Sequence, residues 1–90
     1  MTTVRIPTQL RPLTGGAGVV HVEAPNVGAA LVALDASYPG LNERLFDEEG
    51  RLRRFLNVFV EDRDIRFLDG LGTALQPGDT LSLVPAIAGG

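Results

Sequence analysis

Apolar and polar residues alternate near the start of the chain, and this pattern predicts strands. Segments 2–6 and 20–23 each place every second residue on an apolar face, which is the period-two pattern of half-buried strands. Between them, segment 14–18 is rich in glycine, which adopts positive φ without steric cost. We therefore expect an antiparallel hairpin with a wide loop.

After residue 25 the apolar spacing changes to three and four, which predicts an amphipathic helix of about three turns. Its apolar positions are Val27, Ala30, Leu31, Leu34 and Tyr38. Asn26 is the predicted N-cap, because its side-chain oxygen can accept from a first-turn amide. A proline–glycine pair at 39–40 ends the helix. Gly28 is unfavourable inside a helix, and a close approach to the sheet would explain it. A short helical turn is expected over 41–46.

The second half returns to strand patterns. Segment 55–60 is the most strand-like run, with Leu56, Val58 and Val60 on one face and Phe55, Asn57 and Phe59 on the other. Segment 61–64 should turn the chain back into a strand at 65–67, and 71–75 should form a turn or a 3₁₀ segment. Pro77–Gly78 fits a type II turn. The last strand is expected at 81–84.

The predicted order is β-β-α-β-β-β, in which one main helix covers one face of a single sheet. We expect an α+β fold with a mixed sheet of four to five strands, the first and last pairing in parallel at its centre. This is the β-grasp, or ubiquitin-like, architecture. Residues 1–84 would form the domain, and residues 85–90 a flexible C-terminal Gly-Gly tail.

Composition excludes several function classes. The chain has a net charge of −3, its eight basic residues are all arginine, and it has no cysteine and one histidine, His21. Nucleic acid is not an expected partner, since phosphate binding needs a basic patch. Thiol nucleophiles, Schiff-base lysines and cysteine or histidine-rich metal sites are excluded. No apolar run is long enough to span a membrane, and the expected location is the cytoplasm.

The last six residues carry the predicted chemistry. They are small and uncharged, and about 20 Å long when extended, so they could thread into a narrow tunnel of a partner. The residues are Pro85, Ala86, Ile87, Ala88, Gly89 and Gly90. None of their side chains is reactive, and the predicted reactive group is the main-chain carboxylate of Gly90. We therefore expect no catalytic residue, and a protein that is a substrate for other enzymes.

Over its whole length the chain resembles the ubiquitin-like sulfur carriers of the MoaD/ThiS/CysO family. The ending Pro-Ala-x-Ala-Gly-Gly and the early Pro-Thr-x-Leu-Arg-Pro are most similar to the CysO-type branch. The small subunit of molybdopterin synthase, whose tail typically differs before its Gly-Gly, is the alternative. The resemblance is carried by segments 5–8, 10–12, 14–16, 54–60, 64–67 and 78–90.

The resemblance implies a cycle of sulfur transfer. An E1-like adenylating enzyme of the MoeB/ThiF type would use ATP to convert the Gly90 carboxylate to an acyl adenylate. A sulfur donor or sulfurtransferase would then form a thiocarboxylate. A cysteine synthase-like or thiosugar synthase-like enzyme would accept the sulfur, and a JAMM-type metalloprotease is a further partner that the family allows. The carrier itself would bind no cofactor, and the pathway remains open.

A docking surface is predicted from strand parity. If Leu56, Val58 and Val60 face the helix, then Phe55 and Phe59 face away from it. Val84 faces the same way, and Arg66 is placed at the polar rim. Two other functions stay open: a binding module with an inert tail, and a protein modifier conjugated through Gly90.

Overall fold

A computed structural model describes residues 1–53 and 56–85. The strands are β1 (Thr2–Arg5), β2 (Val19–Val22), β3 (Leu56–Val60), β4 (Arg63–Asp64) and β5 (Thr80–Pro85). The helices are α1 (Val27–Ser37) and α2 (Leu41–Leu45), and 3₁₀ helices span Thr8–Thr14, Ile65–Phe67 and Gly70–Gly72.

The five strands form one mixed sheet in the order β2-β1-β5-β3-β4. The hairpin of β1 and β2 is antiparallel, as predicted, and β1 pairs with β5 in parallel. On its other side, β5 pairs antiparallel with β3 over five residues, from Leu56 opposite Pro85 to Val60 opposite Leu81. The predicted β-grasp arrangement is confirmed, with β5 at the centre of the sheet.

Helix α1 begins where the sequence predicts. The side chain of Asn26 accepts a hydrogen bond from the Ala29 amide at 2.8 Å, which satisfies one of the free first-turn donors. Tyr38 ends the helix, and Gly40 follows at a φ of 106°, a conformation that favours glycine.

The core lies between the inner face of the sheet and the helices. Val27, Ala30, Leu31 and Leu34 of α1 are fully buried there, together with Leu41 and Leu45 of α2. From the sheet, Val20 and Val22 of β2 join the core, as do the inward positions of β1, β3 and β5. They are Val4, Leu56, Val58, Val60, Leu81 and Leu83. The predicted inward faces of β3 and β5 are therefore confirmed.

The predicted strand at 65–67 is wrong. Strand β4 is only Arg63–Asp64, and residues 65–67 form a 3₁₀ helix. The Asp64 carboxylate accepts from the Arg66 amide at 2.9 Å, and such a local bond turns the backbone away from an extended path. Arg66 therefore does not lie on a strand, and its predicted strand parity does not apply.

Two further features depart from the sequence interpretation. Segment 8–14, which carries no periodic pattern, forms a 3₁₀ helix after Pro7. Gly28 approaches the 3₁₀ helix Gly70–Gly72 rather than the sheet, because a Cβ added there would lie 3.2 Å from the Leu71 carbonyl oxygen. The tight contact explains the glycine, but the neighbour differs from the one expected.

Candidate functional site

Most of the predicted reactive tail lies outside the described residues. This applies to the five residues 86–90, including Gly90, and to Phe55 among the predicted docking residues. Pro85 is described, and it is the last residue of β5, opposite Leu56. The sequence assigned Pro85 to the tail, whereas the structure places it in the sheet.

The root of the tail is fixed by the central strand of the sheet. Residues 80–82 of β5 are paired with β1, and residues 81–85 are paired with β3. A strand paired on both sides has its backbone groups satisfied by its neighbours. The body of β5 is therefore held by two strands, and Pro85, from which residues 86–90 leave, is held by its pairing with Leu56 of β3.

The outer face of the sheet, turned away from α1, carries the predicted docking residues. Val84 points to this face and is 41% exposed, whereas its neighbour Leu83 is 3% exposed and points into the core. Across the ladder, Val84 faces Asn57, and Phe59 faces Ser82. Directly opposed residues share a face, so Phe59, which is half-buried, and Val84 lie diagonally across one outer patch. Their outward orientation is confirmed, and their docking role stays a prediction.

Arg66 reaches the outer patch through a side-chain network. Its Nη2 donates to Asp64 Oδ2 at 2.7 Å and to Asn57 Oδ1 at 2.9 Å. Asn57 is the cross-strand neighbour of Val84, so the guanidinium lies at the rim of the patch. Sequence reasoning placed Arg66 there for the wrong reason. It put Asn57 on the outer face but did not predict its bond with Arg66, because a contact between residues 57 and 66 is tertiary.

The ion pair between Arg66 and Asp64 sets the charge state of the rim. The pKa of Asp64 is held below its ordinary value of 3.8, mainly because its carboxylate accepts a side-chain hydrogen bond from Arg66. The pKa of Arg66 is raised by the same bond. Asp64 is buried, with 8% of its side chain exposed, while Arg66 is 66% exposed. The rim therefore keeps one buried carboxylate and one accessible guanidinium.

Two grooves flank the root of the tail, each about 570 Å³ in volume. One groove, on the outer face, is lined by Arg5, Arg11, Val84 and Pro85 among others. The other lies on the side of α2 and is lined by Arg44, Arg53, Leu56 and Pro85. The sequence did not predict that these arginines share a site, since residues far apart in sequence meet only in the fold.

Other exposed apolar side chains were also missed. Val19 lies on the outer face opposite Arg5 and is 50% exposed, and Phe67 in the 3₁₀ helix after β4 is 85% exposed. The sequence pattern could not predict that Val19 and Phe67 are exposed, because exposure depends on which neighbouring residues cover a side chain in the fold.

Neither a metal centre nor a membrane-spanning helix is found in the part of the chain that the structure describes. Within residues 1–53 and 56–85, no three histidine, cysteine, aspartate or glutamate side chains cluster so as to hold a metal ion. No helix of those residues has the length and apolar character to cross a membrane.

Comparisons with known proteins cover nearly the whole chain. A sequence model described as the ThiS family matches residues 4–90. The sulfur carrier protein CysO of Mycobacterium tuberculosis is 48% identical over 90 residues, covering 98% of this chain and 97% of CysO. Small archaeal modifier protein 3 of Haloferax volcanii is 44% identical over 64 residues, covering 71% and 68% of the two chains. A chain in the crystal structure of the Amycolatopsis orientalis BexX/CysO complex superposes with a TM-score of 0.93 at 42% identity, and the match covers 100% of both chains.

Proposed function

We propose that the Gly90 carboxylate is the group that carries the sulfur in this chain, which belongs to the ThiS family and is a sulfur carrier protein. The family match, which runs through Gly90, is the observation that carries this proposal. The 48% identity to CysO over almost the full length of both proteins supports the CysO-type branch.

The first step of the proposed cycle activates the carboxylate. One oxygen of Gly90 attacks the α-phosphorus of ATP on an E1-like adenylating enzyme, and pyrophosphate leaves. The product is a mixed anhydride with AMP, in which the carbonyl carbon has a good leaving group. ATP is bound by the activating enzyme, and the carrier contributes only its main-chain carboxylate.

The second step exchanges AMP for sulfur. A sulfide donor attacks the carbonyl carbon, AMP leaves, and a thiocarboxylate forms at Gly90. On a biosynthetic enzyme of the cysteine synthase or thiosugar synthase type, the thiocarboxylate sulfur then bonds to an acceptor carbon as the leaving group of that carbon departs. Water cleaves the bond between the sulfur and the Gly90 carbonyl carbon, which restores the carboxylate and releases the sulfur on the acceptor. We also propose that the carrier has no turnover of its own and that the cycle takes place in the cytoplasm.

Docking in this cycle is proposed to use the outer patch, formed by Phe59 and Val84 with Arg66 at its rim. Val84 directly precedes the last residue of β5, so a partner that covers the patch also receives the chain beyond Pro85. Tethering of this kind raises the effective concentration of a reactive group at the partner site, to the order of millimolar for a short link.

The test is the intact mass of the chain after incubation with a family adenylating enzyme, ATP and sulfide. We expect a mass gain equal to the exchange of one oxygen for sulfur, and no gain when Gly90 is deleted. Formation of AMP from the full chain without incorporation of sulfur would contradict the carrier proposal.

A protein modifier is the second candidate function, favoured by the 44% identity to small archaeal modifier protein 3. A modifier would form an amide through Gly90 with an amine of another protein. Adducts of higher mass that resist both thiols and hydroxylamine, formed in extract only with ATP and only when Gly90 is present, would favour this second function.

A further inference from the structure

Four arginines lie near the C-terminal end of β5 in a domain whose net charge is negative. The chain has a net charge of −3, yet both grooves beside the root of the tail are lined by arginine. Arg5 and Arg11 line the groove on the outer face, and Arg44 and Arg53 line the groove on the side of α2. Pro85 lines both grooves, so these four residues, the arginine collar, surround the point where residues 86–90 leave.

Within the described residues no collar arginine forms an ion pair with a carboxylate, although Arg53 shares a groove with Asp47 and Glu48. Within residues 1–53 and 56–85, the ion pairs join Arg51 to Glu49 and Arg66 to Asp64. Glu43 lines the groove of Arg53, but the guanidinium of Arg53 donates to the backbone carbonyl of Glu43 and not to its carboxylate. A carbonyl fixes a guanidinium in position and leaves its net charge in place.

Two members of the collar are held in position. The Nε of Arg11 donates to the Ile6 carbonyl at 3.1 Å, and its guanidinium lies against Gly18, where an added Cβ would come within 3.1 Å of it. Arg53 donates from Nε and Nη2 to one carbonyl at 3.1 and 2.9 Å. Side chains that are already ordered lose less conformational entropy when they bind a partner.

The opposite end of the sheet carries acidic residues. Asp79 directly precedes β5, Glu61 directly follows β3, and Glu23 directly follows β2. Since β5 is antiparallel to β3, and β1 is antiparallel to β2, these three residues lie at the end of the sheet away from Pro85. On the sheet, the charge distribution is therefore polar along β5, with Arg5 and Arg11 at the end near the root of the tail. On the side of α2, Glu43, Asp47 and Glu48 lie beside Arg53.

We propose that the arginine collar docks against an acidic surface of the enzyme that receives the tail, and that the polar charge distribution turns the domain tail-first during approach. The inference rests on the proposed function, because that function supplies the enzyme. Carboxylate side chains are the favoured occupant, since arginine forms bidentate bonds with carboxylates and a domain of net charge −3 is repelled by a nucleic acid.

The test measures association rates with Amycolatopsis orientalis BexX as the probe, by stopped flow over a range of salt concentrations. We expect Arg5→Glu and Arg11→Glu to slow association about tenfold or more at low salt, because steering by charge changes rates by about 10–10³-fold. The difference should shrink at high salt as the charges are screened. Arg63→Glu is the matched control: it makes the same charge change at the acidic end of the sheet, and its rate should stay within about twofold of wild type, well below the range that steering covers.

Folding is checked separately, because Arg11 bonds to the backbone. The urea midpoint of each variant is measured, and Gly18→Ala is added as a variant that displaces the Arg11 guanidinium without changing the charge. If Gly18→Ala associates more slowly and keeps the salt dependence of wild type, the result supports the role of Gly18 in positioning the Arg11 guanidinium. Equal rates for wild type, Arg5→Glu and Arg11→Glu would overturn the proposal.

A second measurement decides the case in which the wild-type chain does not bind BexX. An octaglutamate peptide is titrated into the labelled chain, and the Nε–Hε signals of its arginines are followed by NMR. Shifts at Arg5, Arg11, Arg44 and Arg53 without shifts at Arg63 support the collar. Equal shifts at all arginines, no shifts, or tighter binding of a single-stranded RNA oligonucleotide overturn it. The gain of sulfur at Gly90 is read in a different assay, so failure of the collar leaves the carrier proposal intact.

Discussion

Val84 offers the most direct test of the outer patch, because the chain contains a matched control. Val84 is 41% exposed on the outer face of the sheet, and Val32 is 66% exposed on α1, in the other layer. The substitutions Val84→Asp and Val32→Asp remove the same side chain and add the same charge. One substitution alters the outer face of the sheet and the other alters the helix layer.

The magnitude follows from the exposed area of Val84. A partner that covers this valine buries about 60 Å² of apolar surface, which contributes about 1.5 kcal/mol at about 25 cal/mol per Å². That free energy corresponds to about a tenfold change in Kd. An aspartate at this position also has to be desolvated in the interface. We therefore expect Val84→Asp to weaken docking at least about tenfold, and Val32→Asp to leave Kd within about twofold, which is less than 0.5 kcal/mol.

The assay is the Kd for Amycolatopsis orientalis BexX at high salt, together with the rate of thiocarboxylate formation at low carrier concentration. High salt screens the added charge, and urea midpoints show whether either variant is destabilised. If both aspartates weaken binding equally, the loss reflects charge and not location. If Val84→Asp binds like wild type while folded, the outer patch is not the docking surface.

Three predictions concern stability. Asn26→Ala should lower the free energy of unfolding by about 1 kcal/mol, because the Ala29 amide loses its acceptor, and Asn26→Asp should retain most of the wild-type stability. Equal urea midpoints for wild type and both variants would contradict the capping role of Asn26. Gly28→Ala should lower the free energy of unfolding, because the Cβ of the alanine would lie 3.2 Å from the Leu71 carbonyl oxygen. This close contact opposes the higher helix propensity of alanine, which is worth about 0.5–1 kcal/mol. The control Gly72→Ala meets nothing within 4 Å, and a more stable Gly28→Ala protein would refute the argument. Asp64→Asn should lower the urea midpoint near neutral pH, because the pKa of Asp64 is depressed in the folded state. The stabilisation by the ionised Asp64 carboxylate is therefore present above the ordinary pKa of 3.8 and is lost as the pH falls through the folded-state pKa. The difference from wild type should therefore narrow at pH values below 3.8, and a constant difference across the acid range would be the contrary result.

The parts of the fold that sequence predicted are those governed by local periodicity. The alternation of Leu56, Val58 and Val60 fixes which face of β3 is buried, and this orients Phe59 outward whatever its neighbours. Asn26 similarly acts on an amide three residues away. Such features depend on a few adjacent residues, so they can be derived without the tertiary structure.

The parts that sequence did not predict depend on contacts between distant residues. Strand β4 ends at Asp64, whose carboxylate accepts from the Arg66 amide, and the turn before the strand places Glu61 at a positive φ of 56°. A periodic pattern of apolar residues predicts neither conformation. The arginine collar brings together Arg5, Arg11 and Arg53, which belong to different elements. Only the pairing of β1 and β3 with β5 places these residues around one point, so their common location needed the structure.

The central position of β5 links the docking face to the proposed chemistry. Leu83 anchors the strand in the core, Val84 points to the outer patch, and Pro85 is paired with Leu56 of β3. The five residues beyond Pro85 span at most about 18 Å when extended, so a partner that holds the outer patch also confines Gly90 to that distance. In the proposed cycle the domain therefore supplies affinity and orientation, while Gly90 supplies the reacting group. Losses at the outer patch should then appear mainly in KM for the carrier, and changes at Gly90 in kcat, because only Gly90 takes part in the transition state.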